Sequence, residues 1–318
     1  MEKIMLNAEI DSFEEFIDHI KTVFKDFYGE GYTVDIINVI KNNNKHLTGI
    51  TVLSKESCIS PTIYLEPYFE MYQNGTSLVD ICRNMITQYE TRRTKIDFDV
   101  LMLEDFEKVR GKICYKVVNA FRNRELLEGI PHMKFHDLAI VFDIVLEIDG
   151  MAGTIKVGNQ HMEIWKVSKK ELLEAALTNT PRLFAASIVP LISRVKEILK
   201  SKGENGEISL GDFPPEKEYQ GTPVYICTNE QHMDGAGVIL YEGLLKQFAD
   251  SMGSNLFVLP SSIHECMLVP DNGNMDVGFM RATVKESVVL PEDFLSDNIY
   301  YYDRSLNKIE MLSKNTNI

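Results

Sequence analysis

The stretch YTVDIINVIKNNNKHLTGITVLS, residues 32–54, decides the fold class. Two runs rich in β-branched residues flank the polar segment Lys41-Asn42-Asn43-Asn44-Lys45. Strand-forming runs around a tight polar turn predict an antiparallel hairpin. Just upstream, Phe13, Phe16, Ile17, Ile20, Val23, Phe24 and Phe27 recur at helical spacing over residues 12–27, behind a Ser12/Glu15 capping box. Just downstream, PTIYLEP predicts a third strand and Asn74-Gly75 a turn. Leu78, Ile81, Cys82, Met85, Ile86 and Tyr89 then define a second helix. The opening order is helix, three strands, helix.

The same pattern of clustered strands between helices continues. KICYKVVNAF predicts a strand, and LAIVFDIVLE with its continuation through GTIKVGNQHMEIW predicts a long hairpin turning at Asp149-Gly150. Ser168 and Glu171 make a second capping box, ahead of a helix with Leu172, Leu173, Ala176 and Leu177 on its inner face. A further helix uses Ile188, Leu191, Ile192, Val195 and Leu199. PVYIC, NLFVLP and HECMLVP predict strands, and Leu240, Leu244, Leu245, Phe248 and Met252 line a helix ended by Gly253. A helix over 275–287 and a closing hairpin in IYYYDRSLNKIEML complete the chain. This is an α+β protein with mainly antiparallel sheet. Its expected organisation is an N-terminal unit over 1–128 and a C-terminal unit over 129–318. The Gly-, Pro- and charge-rich stretch 201–222 is expected to be an exposed loop or linker.

Bulk properties narrow the function. The 318 residues carry a net charge of −14, which disfavours a phosphate backbone or an anionic membrane surface as partner and suits a basic protein. The best basic cluster, Arg92-Arg93-Thr94-Lys95, reads as a cationic helix C-terminus. The five cysteines are scattered without a CxxC, as buried free thiols in a reducing compartment would be. The N-terminus has no apolar core of a signal peptide, and the longest apolar run, 138–148, is broken by Asp143 and Glu147. A cytoplasmic protein is expected.

The segment PSSIHE, 260–265, is the densest group of chemically useful residues. As a strand from Ser262, it would put Ser262 and His264 on one face about 6.6 Å apart and Glu265 on the other, which is no triad geometry. Glu66 and Glu70 sit among Tyr64, Tyr68 and Tyr72, with Pro67 expected to hold Glu66 extended in a strand leaving the sheet. His132, His136 and Asp137 have a metal-like spacing only if helical, and Pro131 with the β-branched run after Asp137 argues for loop and strand. DGAGVILYEG, 234–243, lacks both the P-loop and the GxGxxG fingerprint and reads as a tight strand-to-helix turn. His161 is expected in a strand, and Asp303 with Arg304 at the hairpin turn, joined by a local ion pair. Neither a metal nor a cofactor is expected.

Two functions follow from these residues. The first is a non-enzymatic protein-binding module. The second is a hydrolase acting on nucleotides or phosphoesters, with Glu66, His264 and Glu265 as catalytic candidates and Asp137, Ser261, Ser262 and Arg304 as binding candidates. The hydrolase requires those side chains to converge.

The phrases PTIYLEPYFEMYQNG, FHDLAIVFDIVLE, KKELLEAALTNTP, LFVLPSSIHECMLVP and LSDNIYYYDR occur in this order. On them the chain resembles a group of bacterial proteins known only as a domain of unknown function. The resemblance covers most of the chain and implies a bacterial, cytosolic protein, with no activity, cofactor or catalytic residue to carry over. The opening helix-β-β-β-helix order is also similar to that of secretion-chaperone-like folds, which bind other proteins.

Overall fold

The computed structural model describes residues 10–54, 60–93, 100–148, 151–202, 222–260, 262–286 and 289–312. Two compact units divide the chain: Met1–Val109 with Leu146–Thr154, and Arg110–Val145 with Ile155–Ile318. The three sheets among the described residues are antiparallel, in keeping with the α+β class. No helix among the described residues is long and apolar enough to cross a membrane.

In the first unit, helix α1 (Phe13–Tyr28) starts at Ser12, whose hydroxyl accepts the Glu15 N–H while the Glu15 carboxylate accepts the Asp11 N–H. Strands β1 (Tyr32–Lys41) and β2 (Lys45–Ser54) pair in register from Tyr32↔Ser54 to Lys41↔Lys45. Asn43 and Asn44 turn the hairpin at φ 58° and 52°, a left-handed region that asparagine tolerates. The apolar face of α1, carrying Phe16, Ile20, Val23 and Phe24, joins Val34, Ile50 and Val52 of the hairpin in one core. Ile81, Cys82, Met85 and Tyr89 of α3 (Leu78–Arg93) complete it, and the short helix α4 (Phe106–Val109) follows in the same unit. Arg93 closes α3 by pairing with Glu90 and donating to the Tyr32 hydroxyl, as a cation in a last helical turn should. Thr94 and Lys95 lie outside the described residues.

One expectation fails here. β3 is only Ile63–Tyr64, and Glu66–Gln73 is a helix, α2, so Glu66 is not held in a strand. Pro67 sits in its first turn, where a missing N–H costs nothing. The turn closes on the Leu65 carbonyl through Tyr68 and Phe69. The helix earns its place by packing, with Phe69 against Phe13 and Phe16 at ring distances of 5.2 and 5.3 Å.

The four-stranded sheet pairs β4 (Ile113–Asn119) with β6 (Leu138–Ile148), which also takes β5 (His132–Phe135) and β7 (Met151–Lys156); its residues up to Val145 and from Ile155 belong to the second unit. After α5 (Arg124–Glu128) and α6 (Asn159–Trp165) comes α7 (Lys169–Leu183), which packs on β4. The six-stranded sheet runs β13-β12-β10-β11-β9-β8, where β8 is Ala186–Pro190, β9 Tyr225–Asn229, β10 Leu256–Leu259, β11 Cys266–Pro270, β12 Tyr300–Asp303 and β13 Lys308–Met311. Helices α8 (Leu191–Lys202), α9 (Leu244–Met252) and α10 (Val277–Glu286) belong to the same unit.

Four further expectations are corrected. NQHMEIW is the helix α6 and not the end of a hairpin; the Gly158 N–H donates to His161 Nδ1, and His161 stacks on Trp165 one turn on. Ile188 lies in β8, because Pro190 ends the strand and the helix starts only at Leu191. The inner face of α7 uses Ala175, Asn179 and Thr180 beside Leu172 and Ala176, while Leu177 is exposed. The rotation has a cause in hydrogen bonding. Thr180 accepts the Tyr115 N–H, and Asn179 donates to the Arg110 and Ile113 carbonyls, so the helix satisfies the backbone along β4. Leu240 belongs to a tight buried turn over Gly235–Leu240, ahead of α9. The stretch 203–221 and the turn Asp149-Gly150 lie outside the described residues.

Candidate functional site

The segment around His264 is not a strand before Cys266. It is a loop stitched to 293–296: the Ile263 N–H donates to the Asp293 carbonyl, Ser262 bridges Phe294, and the Ser296 N–H donates to the Pro260 carbonyl. The Ser262 hydroxyl accepts the His264 N–H two residues on, a local turn that competes with strand pairing. Ser261 lies outside the described residues.

His264 is hydrogen-bonded through one ring nitrogen and faces a carboxylate with the other. Nδ1 accepts the Asp234 N–H at 3.1 Å, which places the ring proton on Nε2, and Nε2 faces Asp293 Oδ1 at 3.3 Å. The His264 carbonyl accepts the Thr228 hydroxyl at 2.6 Å. Glu265 makes no hydrogen bond or ion pair among the described residues, so Asp293, not Glu265, orients the imidazole.

Asp234 connects this loop to a charged network that sequence reasoning missed. Lys116 Nζ lies 2.9 Å from Asp234 Oδ2 and 2.9 Å from Asp143 Oδ2, and Lys156 Nζ lies 3.5 Å from Asp143 Oδ1. Asp143 is buried in β6, directly across from Cys114 of β4. Burial alone would raise its carboxyl, but the Lys116 and Lys156 charges outweigh that and hold it below the usual carboxylate range. Burial likewise works to lower Lys116, and the two carboxylates overcome it and raise the ammonium above its ordinary value. For Lys156 burial wins and the value falls. Asp234 itself takes φ 50° and His232 φ 54°, strained for non-glycine residues. The signal that could have found the network was a charge interrupting each of two apolar strands, Lys116 in ICYKVVN and Asp143 in LAIVFDIVLE.

The remaining candidates have separate partners. Asp137 accepts from the Ser296 hydroxyl at 2.7 Å, Asn298 Nδ2 at 2.9 Å and the Tyr300 hydroxyl. Burial, and then the Asp137 charge, push the Tyr300 phenol far up. Arg304 pairs with Asp250 at 2.8 Å, and not with Asp303, whose carboxylate instead accepts the Ser305 and Leu306 N–H groups in the hairpin turn. Glu66 belongs to the first unit, where its carboxylate accepts the Thr48 N–H. His136 takes φ 54° at the turn between β5 and β6, and His132 lies in β5. Among the described residues no three His, Cys, Asp or Glu side chains group as metal ligands would. Within the second unit, then, His264, Asp137 and Arg304 are each fixed by a different set of neighbours.

A distinct feature lies at the β5 end of the four-stranded sheet. Ala120, Arg124, Leu127, Glu128, His132, Lys134, Leu138 and Ala139 line an open groove of about 420 Å³. Arg124 stacks on the exposed Phe121 ring at 4.2 Å. His132 Nδ1 lies 3.1 Å from the Ile130 carbonyl.

No curated protein and no solved structure matches the chain. A model of a protein family described as "Family of unknown function (DUF5688)" matches residues 13–304. That span takes in all five phrases on which the resemblance rested, and the chain belongs to this family of unknown function.

Proposed function

We propose that the protein is a non-enzymatic module that binds another protein. The observation that carries this reading is the setting of its best candidate reacting group: His264 Nδ1 accepts the Asp234 N–H inside the fold, and Nε2 lies 3.3 Å from the Asp293 carboxylate. Asp137 and Arg304 are likewise committed to neighbours that fix loops and turns. Net charge of −14 supports a basic partner through electrostatic complementarity, and exposed Phe121, Phe279 and Leu306 supply apolar anchors of the kind interfaces use. The test is retention of lysate proteins from the source organism on the immobilised full chain at about 50 and about 300 mM salt, a range over which screening weakens charge attraction. The expected result is a saturable basic partner that salt releases. Absence of any saturable partner contradicts the reading.

One observation favours a second reading, hydrolysis of nucleotides or phosphoesters. His264 Nε2 lies 3.3 Å from the Asp293 carboxylate, an imidazole–carboxylate pairing of the kind that hydrolases use. Turnover of a nucleotide and nitrophenyl phosphate panel that His264→Ala abolishes would establish it; turnover that is absent, or that survives the substitution, removes it.

A further inference from the structure

The groove at the β5 end of the four-stranded sheet has a floor and a rim of different chemistry. Leu138 and Ala139 are almost fully buried and Leu127 nearly so, so the floor is apolar. Ala120 and Ala139 are small, which opens the depression. Strand alternation puts His132 and Lys134 on one face of β5, and Lys134 stands directly opposite Ala139. Arg124 arrives from the first position of α5. The rim is therefore cationic over an apolar base.

Among the described residues neither Arg124 nor Lys134 forms an ion pair, so both charges stay open to a ligand, as several other surface cations of the chain do. The Arg124 guanidinium lies over the Phe121 ring, 4.2 Å from its centroid, and its N–H groups point to no carboxylate among the described residues. His132 Nδ1 lies 3.1 Å from the Ile130 carbonyl, so the donors for an anion are Arg124 and Lys134. Glu128 lines the same groove and offsets one of the two positive charges of Arg124 and Lys134. The volume falls in the range of small-molecule sites, roughly 300–1,000 Å³.

We propose that this groove binds a small organic monoanion, a carboxylate with an apolar body. Arg124 and Lys134 hold the carboxylate, and Leu127, Leu138, Ala120 and Ala139 take the apolar part. Glu128 selects against a second negative charge. The site stands apart from the protein-binding reading and does not depend on it.

The experiment is a titration of the full chain, carrying labelled leucine and alanine methyl groups, with hexanoate, hexanol, hexylammonium and inorganic phosphate. Hexanoate is expected to give saturable shifts at Leu127, Leu138, Ala120 and Ala139. The other three probes should bind at least about tenfold more weakly, as should hexanoate to an Arg124→Gln/Lys134→Gln variant. Both substituted side chains are exposed, and unchanged methyl shifts elsewhere in the variant confirm that it is folded. Absence of saturable shifts with hexanoate overturns the proposal. So does hexanol or phosphate binding as tightly as hexanoate, or a variant that binds hexanoate as wild type does.

Discussion

Asp143 shows what a single residue does in this fold. Its carboxylate is buried between Lys116 and Lys156, and removing one side of such a pair leaves charge stranded in a poor solvent. Asp143→Asn is expected to cost about 3 kcal/mol in urea unfolding, the lower end for a buried pair because Lys116 keeps Asp234. Asp143→Leu with Lys116→Met should recover part of that loss. The pH dependence has a definite sign. Asp143 is held below its unfolded value of about 3.9, so its contribution is complete above about pH 4 and disappears as pH falls through the depressed folded value. The stability gap between wild type and Asp143→Asn should therefore be constant near neutrality and close under acid. A gap that widens on acidification would show that the lysines do not stabilise the carboxylate.

At the scale of elements, local chemistry was legible where it was strong. The Ser12 and Ser168 caps, the asparagine turn of the first hairpin and Gly253 at φ 70° after α9 all act as their residue types dictate. The failures share one cause, tertiary packing and hydrogen bonding overriding local preference. Pro67 suggested an extended chain, but the aromatic face of α2 found Phe13 and Phe16. Asn179 and Thr180 turned inward because β4 offered backbone groups that leucine could not satisfy. His264 read as a strand residue because the segment 293–296 that captures its loop is some 30 positions away in sequence. Gly235 makes the same point with a sharp test. A Cβ there would stand 2.3 Å from Thr228 Oγ1, 2.6 Å from the His264 carbonyl and 2.8 Å from the Asn229 N–H nitrogen. Two of those are backbone atoms, so Gly235→Ala should destabilise by about 2 kcal/mol or more, measured by thermal or urea unfolding. A neutral effect would mean that the β9 turn gives way easily.

For the whole molecule, class and charge were legible and the network was not. The alternation of strand clusters with helices gave α+β, and the family match covers the phrases that suggested it. The ionic network joins residues 116, 143, 156 and 234, a set that no local window contains. The cysteines carry a prediction at this scale. Cys82, Cys114, Cys227 and Cys266 are buried free thiols; burial pushes Cys82 up to about 11, Cys114 and Cys227 up to about 12, and Cys266 well above the ordinary range. Thiolate is the reactive form, so the native chain should expose at most one fast thiol to a disulfide reagent at about pH 8, with all five reacting after unfolding. Two or more fast thiols in the native state would contradict the packing of these cores.

The central claim is that the polar residues around His264 lock the fold and do not wait for a substrate. A double-mutant cycle on His264→Gln and Asp293→Asn, read by urea unfolding, tests it most directly. The account predicts that each single substitution destabilises and that the two are coupled by at least about 0.5 kcal/mol. Variants as stable as wild type, with no coupling, would contradict it.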